Sequence, residues 1–226
     1  MGIFEVFYAP GRLFASLPER KAAWVLPYLL NIALVTAISI LTIHYIGLEN
    51  ILRQQFEMFR MPPEQVDKAM VQALNAPAWR NYIGAVIGTA IFFPFVGGLM
   101  YVFALMANKE ARYVDQFKLV CFAYFPYYVV TCLMSALILM VSPDPGSLDI
   151  RNLIATNVGA FLDKNTTSKG LYALAGSIDV LSFLEIFLLG YGFAKLNRVK
   201  VFFGVAAVMT LWILYVSVKI SLSVLF

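Results

Sequence analysis

Asp179 and Glu185 stand in an apolar stretch, Leu171–Ala194, that holds no other acid and no base. An ionised carboxylate near the centre of a bilayer costs ~2.5–3.5 kcal/mol on insertion scales, so such a group faces protein or water and marks an ion, proton or substrate site. Counted from Leu171, Asp179 lies ~12 Å deep, and Lys219 lies ~10 Å in from the end of the last apolar stretch. These matched depths predict an Asp179–Lys219 pair between adjacent helices, which either orients those helices or holds a substrate or proton. Glu185 has no charged counterpart at its depth, leaving three states open: protonated, hydrogen-bonded to Tyr or Ser, or facing a polar cavity. Six helical residues rotate ~600°, so the two acids point about 120° apart and do not form a carboxylate dyad.

No other residues combine into recognisable chemistry. The phosphate-cradling G-x-x-x-x-G-K-[ST], the zinc-binding H-E-x-x-H and the nucleophile elbow G-x-S-x-G are all absent. His44 is the single histidine, and one histidine without a cysteine or carboxylate cluster does not make a metal site. Cys121 and Cys132 are eleven residues apart on one predicted helix, ~16 Å by helical rise, which excludes a disulfide between them. No catalytic residue, metal site or cofactor is expected, and the chain reads as a non-enzyme.

Prolines and glycines form a second constellation. Gly84-x-x-x-Gly88 is a small-xxx-small pattern that permits close helix contact, and Gly97-Gly98 follow Pro94 on the same stretch. Pro94 and Pro126 each remove a backbone donor in mid-helix and predict kinks. Bent spans open cavities in transporters, although packing is their commoner use.

The elements that must carry these residues are five apolar stretches: Trp24–Ile46, Asn81–Ala107, Leu119–Val141, Leu171–Ala194 and Val201–Phe226. Each is long enough to cross ~30 Å of hydrocarbon at roughly 20 residues per helix. Composition agrees: 61% of residues are hydrophobic and 13% charged, against about 45–50% and 25% in soluble domains. The predicted fold is an all-α integral membrane protein, a bundle of five transmembrane helices with short amphipathic helices in the two outer loops. Residues 1–23 form an interfacial N-terminal segment and residues 24–226 one membrane domain, whose first span serves as an uncleaved signal. Pro10-Gly11 interrupts the N-terminal segment, which either lies along headgroups or packs on the bundle. In the first loop, apolar residues at 3–4 spacing on both sides of Met61-Pro62 predict two short helices, with capping of the bundle as one of their uses. In the second, Leu148 to Leu162 suggest another.

The net charge of +4 is spread over the connections without interleaved aromatics, which argues against nucleic acid. Placing the N-terminus inside gives the cytoplasm Arg12, Arg20, Lys21, Lys109, Arg112, Lys118, Lys195, Arg198 and Lys200 on compact segments. The longer opposite loops hold Arg53, Arg60, Lys68, Arg80, Arg151, Lys164 and Lys169. The positive-inside rule therefore favours a cytoplasmic N-terminus and an external C-terminus.

Three stretches carry a family likeness. They are Phe7-Tyr8-Ala9-Pro10-Gly11-Arg12-Leu13-Phe14, Phe117-Lys118-Leu119-Val120-Cys121-Phe122-Ala123-Tyr124-Phe125-Pro126, and Ser177 to Ile186 with Leu189-Gly190-Tyr191-Gly192. In order and character they resemble the Yip (Ypt-interacting protein) family of small five-span membrane proteins, and the third resembles its bacterial branch. The resemblance implies five spans, association with other integral membrane proteins and the bacterial inner (cytoplasmic) membrane. It also implies an accessory role in export machinery, with an ABC-type permease among the partners, and it raises the importance of Asp179. The acidic Gly-Pro element of the eukaryotic, GTPase-linked members is absent.

Two functions follow as expectations. The first is a non-enzymatic membrane scaffold or accessory subunit of a multi-protein complex, in contact with lipid and other membrane proteins. The second is a small transporter or channel using Asp179 and Glu185. Oligomeric state is not legible.

Overall fold

The computed structural model describes the chain apart from residues 1, 59–62, 78, 108–109, 151, 164–165 and 226. The Met61-Pro62 interruption and the loop charges Arg60, Lys109, Arg151 and Lys164 lie outside the described residues. Two short helices, α1 (Glu5–Tyr8) and α2 (Pro10–Ser16), lead through a 3-10 turn (Leu17–Glu19) into the first span, α3 (Val25–Ile46). Helices α4 (Leu48–Met58) and α5 (Pro63–Leu74) follow, then the spans α6 (Arg80–Ala107) and α7 (Tyr113–Val141). The chain continues through two 3-10 turns (Pro145–Ser147 and Val158–Phe161) and α8 (Lys169–Ala175) to the last two spans, α9 (Val180–Asn197) and α10 (Val201–Leu225). Five of these helices are long and apolar enough to cross a bilayer. The protein is an all-α integral membrane protein.

Side-chain burial shows why the bundle holds its order. Helix α7 is central, packing against α3, α6 and α9, while α10 pairs with α9. The main core joins Phe93 and Met100 of α6, Leu119 and Val120 of α7, and Phe193 of α9 to Leu13, Phe14 and Leu17 of the N-terminal segment. That segment therefore packs on the bundle, and its apolar side chains fill the space between α7 and α9. Its break falls at Ala9, one residue ahead of Pro10, because a proline disfavours helical backbone in the residue before it. Phe4, Phe7 and Tyr8 nevertheless remain largely exposed.

At the opposite end, the bundle end that carries the long loops, Gly47 stops α3. Its φ of 87° lies in the region that favours glycine, and α4 starts at the next residue. Ile51 of α4 then packs with Ile46 and Leu139, so α4 caps this end. The second loop departs from expectation. Its described residues between Leu148 and Leu162 are irregular apart from one 3-10 turn, because polar groups there bond to other elements: Gln54 of α4 donates to the Leu148 carbonyl at 3.0 Å and accepts from the Ile150 amide at 3.0 Å.

Two spans also differ from their sequence bounds. Span three begins at Tyr113 rather than Leu119, with Asp115 and Lys118 helical and buried. Span four is not continuous over Leu171–Ala194. It breaks between Ala175 and Val180, so that α8 and α9 are separate helices.

Candidate functional site

The break in span four has local causes. Ser177 and Gly176 follow α8, and Asp179 has a carboxylate suited to starting a new helix. Asp179 is extended (φ −130°, ψ 133°) and caps α9: its side chain accepts from the Ser182 amide at 3.0 Å and the Ser182 hydroxyl at 2.9 Å. The Thr156 hydroxyl donates to its other oxygen. The second loop runs antiparallel to the break for one bridge, Val158 N–H donating to the Ile178 carbonyl at 3.0 Å and Val180 N–H to Thr156 at 3.3 Å. Glycine permits this approach, since a Cβ on Gly159 would lie 2.9 Å from the Gly176 nitrogen. Asn157 holds the turn, accepting from Ala160 N–H at 3.1 Å and donating to Asn152 at 3.1 Å.

A cavity of about 360 Å³ opens beside the break. Hydroxyl and amide groups of Thr42, Tyr127, Thr131, Ser135, Thr156, Asn157 and Ser182 line it together with Asp179. Tyr127 stands midway along the 29-residue α7. The 18 residues of α9 cover ~27 Å, close to the full hydrocarbon thickness, so Asp179 opens α9 toward the loop-bearing end of the bundle. Irregular backbone within a bundle is tolerated where protein buries it or it lines a cavity, and both hold here. The Thr131 hydroxyl is buried and makes no hydrogen bond of normal length, with Tyr127 as the group beside it.

The predicted Asp179–Lys219 pair does not form. Lys219 donates to the Ser177 hydroxyl at 2.9 Å, and Asp179 is occupied by Ser182 and Thr156. The reason is the break: with span four unwound at residues 176–179, Ser177 meets α10 and Asp179 turns toward α7 and the loop. Glu185 lies further along α9 and faces aromatic α7. Tyr124, Tyr127 and Tyr128 of α7 are its polar neighbours. Glu185 and Asp179 share no dyad, but Tyr127 lies within electrostatic reach of both.

The predicted kinks do not make the cavity. Helices α6 and α7 run on through Pro94 and Pro126, and neither proline lines it. Of the predicted packing glycines, only Gly97 meets a neighbour, since its Cβ would lie 3.1 Å from the Phe117 Cα. Gly84, Gly88 and Gly98 face open space. The close helix contact lies instead between Gly190 of α9 and Gly204 of α10, where a Cβ on Gly190 would stand 2.6 Å from the Val205 Cα. Three glycines at 190, 192 and 204 in the last two spans are the sequence signal for it.

Sequence reasoning also missed a buried polar cluster at the opposite end of the bundle. Asp115 accepts from Lys118 at 2.9 Å and from Arg112 at 2.8 Å, and Lys118 also donates to the Leu17 carbonyl at 2.9 Å. Gln116 donates to Asn197 at 3.0 Å, joining α7 to α9. Glu5 is fully buried and receives Arg20 at 2.9 Å and Arg12 at 3.2 Å. The Arg20 hydrogen bond, with Arg12 beside it, holds the Glu5 carboxyl below its ordinary range against the upward push of burial. The i, i+3 spacing of Asp115 and Lys118 at the edge of an apolar stretch was the available signal.

No family model matches the chain, and no curated protein or solved structure matches it.

Proposed function

We propose that the protein is a membrane-embedded transport component that binds a small solute in the cavity at the break of its fourth span. The carrying observation is a polar cavity whose wall is the unwound junction between α8 and α9. Discontinuous helices whose unwound backbone and helix N-terminus line a cavity are a binding-site architecture of secondary transporters. A span interrupted only for packing has no need of a roomy cavity lined by hydroxyls. The test is thiol labelling in intact membranes, on a background with Cys121 and Cys132 replaced by alanine. A Thr131→Cys variant should react with a small membrane-impermeant thiol reagent, as should Ser147→Cys in the loop. A reactive loop position with an inert Thr131→Cys would overturn the reading.

The accessory-subunit reading is favoured by a separate observation. The Gly84 and Gly88 face of α6 is open and unfilled within the chain, which suits close contact with a helix of another membrane protein. The likeness to the bacterial Yip branch points the same way, toward an ABC-type permease in the inner membrane and a cytoplasmic N-terminus. In this reading Gly84→Leu with Gly88→Leu should abolish co-purification of a stoichiometric partner while leaving Thr131→Cys labelling intact.

A further inference from the structure

We infer that the cavity takes a small organic ammonium, an alkyl or aryl amine in its protonated form. The inference rests on the solute-binding reading of this site. Asp179 is the one charged side chain among the described residues that line the cavity. Lys219 makes no ion pair with it, its amine donating instead to the Ser177 hydroxyl.

The α9 N-terminus opposes a cation with roughly +0.5 charge. An Asp179 carboxylate outweighs it, which leaves the local balance negative by about half a charge. An anion therefore meets net repulsion. A carboxylate has about four acceptor positions, and the Asp179 hydrogen bonds from Ser182 N–H, Ser182 Oγ and Thr156 Oγ1 number three. One acceptor position is left, and the buried Thr131 hydroxyl makes no hydrogen bond of normal length. An ammonium, with three donors and no acceptor, fits an acceptor-rich wall. The other wall is apolar, from Ile38, Ile150, Leu153, Ile154 and Leu181. A cavity of about 360 Å³ falls within the usual size of small-molecule sites. A charged head and a hydrocarbon body are both accommodated, which a bare metal ion would not use.

The test is titration calorimetry on the detergent-solubilised full chain with three probes of similar size: phenethylammonium, 2-phenylethanol and 3-phenylpropionate. Phenethylammonium should bind on the order of tenfold more tightly than either of the others, the ratio expected of one hydrogen bond to a charged group. Asp179→Asn should erase that preference while the fold survives, because asparagine caps a helix as well as aspartate does. Thr131→Val, which keeps side-chain shape, should weaken phenethylammonium alone. Equal or tighter binding of the alcohol or the acid overturns the ammonium assignment and leaves the solute-binding reading standing. So does failure of all three probes when Thr131→Cys still reacts with the thiol reagent. Phenethylammonium binding indifferent to both substitutions also overturns it. An inert Thr131→Cys removes both readings together.

Discussion

Tyr28 donates its hydroxyl to the carbonyl of Ala90 at 2.9 Å, and Ala90 is the residue whose helical acceptor Pro94 leaves without a donor. Pro94 lacks the N–H that would have closed the turn on Ala90. A side chain from α3 thus completes the backbone of α6, and α6 passes through its proline unbroken. Tyr113 serves the Pro94 carbonyl itself at 3.1 Å.

Tyr28→Phe should therefore destabilise the protein by about 1 kcal/mol, the scale of interhelical hydrogen bonds in membranes. In a Pro94→Ala background the restored amide supplies the missing donor, and the same substitution should cost markedly less. Thermal unfolding of the four variants in detergent gives the coupling. Equal costs in both backgrounds would show that the hydroxyl does not replace the amide.

The Glu5 cluster predicts a sign for pH dependence. Its carboxyl titrates lower in the folded chain than its ordinary 4.5, so the folded state binds fewer protons there than the unfolded state. The stabilisation is present above about pH 4.5 and is lost as pH falls through the lowered folded value. Melting temperature should drop on acidification below pH 4.5, and Glu5→Gln should flatten that limb. Arg20→Ala should cost on the order of 2 kcal/mol at neutral pH, less than full loss of a buried partner because Arg12 remains.

Glycine substitutions should separate two helix faces. Gly190→Ala places a Cβ 2.6 Å from the Val205 Cα, which forces α9 and α10 apart and should cost roughly 1–3 kcal/mol. Gly84→Ala and Gly88→Ala meet nothing within the chain and should be neutral or stabilising by about 0.5–1 kcal/mol each. Denaturation of the isolated protein reads both. A stable Gly190→Ala would refute the tight contact.

Asp179 and Lys219 should prove energetically independent. Asp179→Leu removes the α9 cap and should cost about 1 kcal/mol. A double-mutant cycle with Lys219→Met should give a coupling within about 0.5 kcal/mol of zero, as for sites that share no partner. A coupling well above that would restore the ion pair inferred from depth alone.

That discrepancy shows where sequence reading stops. Span number and the paired helices of the first loop were legible because hydropathy and helical periodicity are local properties. The break in span four was not, since Leu171–Ala194 is apolar enough to read as one helix. The local signals at Gly176, Ser177 and Asp179 gain their effect from tertiary partners, Thr156 and Val158 on the preceding loop, which bond the unwound backbone. The depth argument for Asp179 and Lys219 then failed because it assumed a continuous helix. The Gly84 pattern was visible but pointed away from the bundle, whereas Gly190 and Gly204 meet only across a turn. Asp115 and Lys118 looked like loop charges because a charge at the start of an apolar run is ordinarily solvated, and here the N-terminal segment covers them.

The N-terminal segment also sets an order on biogenesis. Leu13 and Phe14 are buried against α7 and α9, and the Leu17 carbonyl waits for Lys118. On the ribosome these residues emerge well ahead of the surfaces that bury them, Leu17 and its partner Lys118 being 101 residues apart. That segment must therefore wait, undocked, until α7 and α9 have been made.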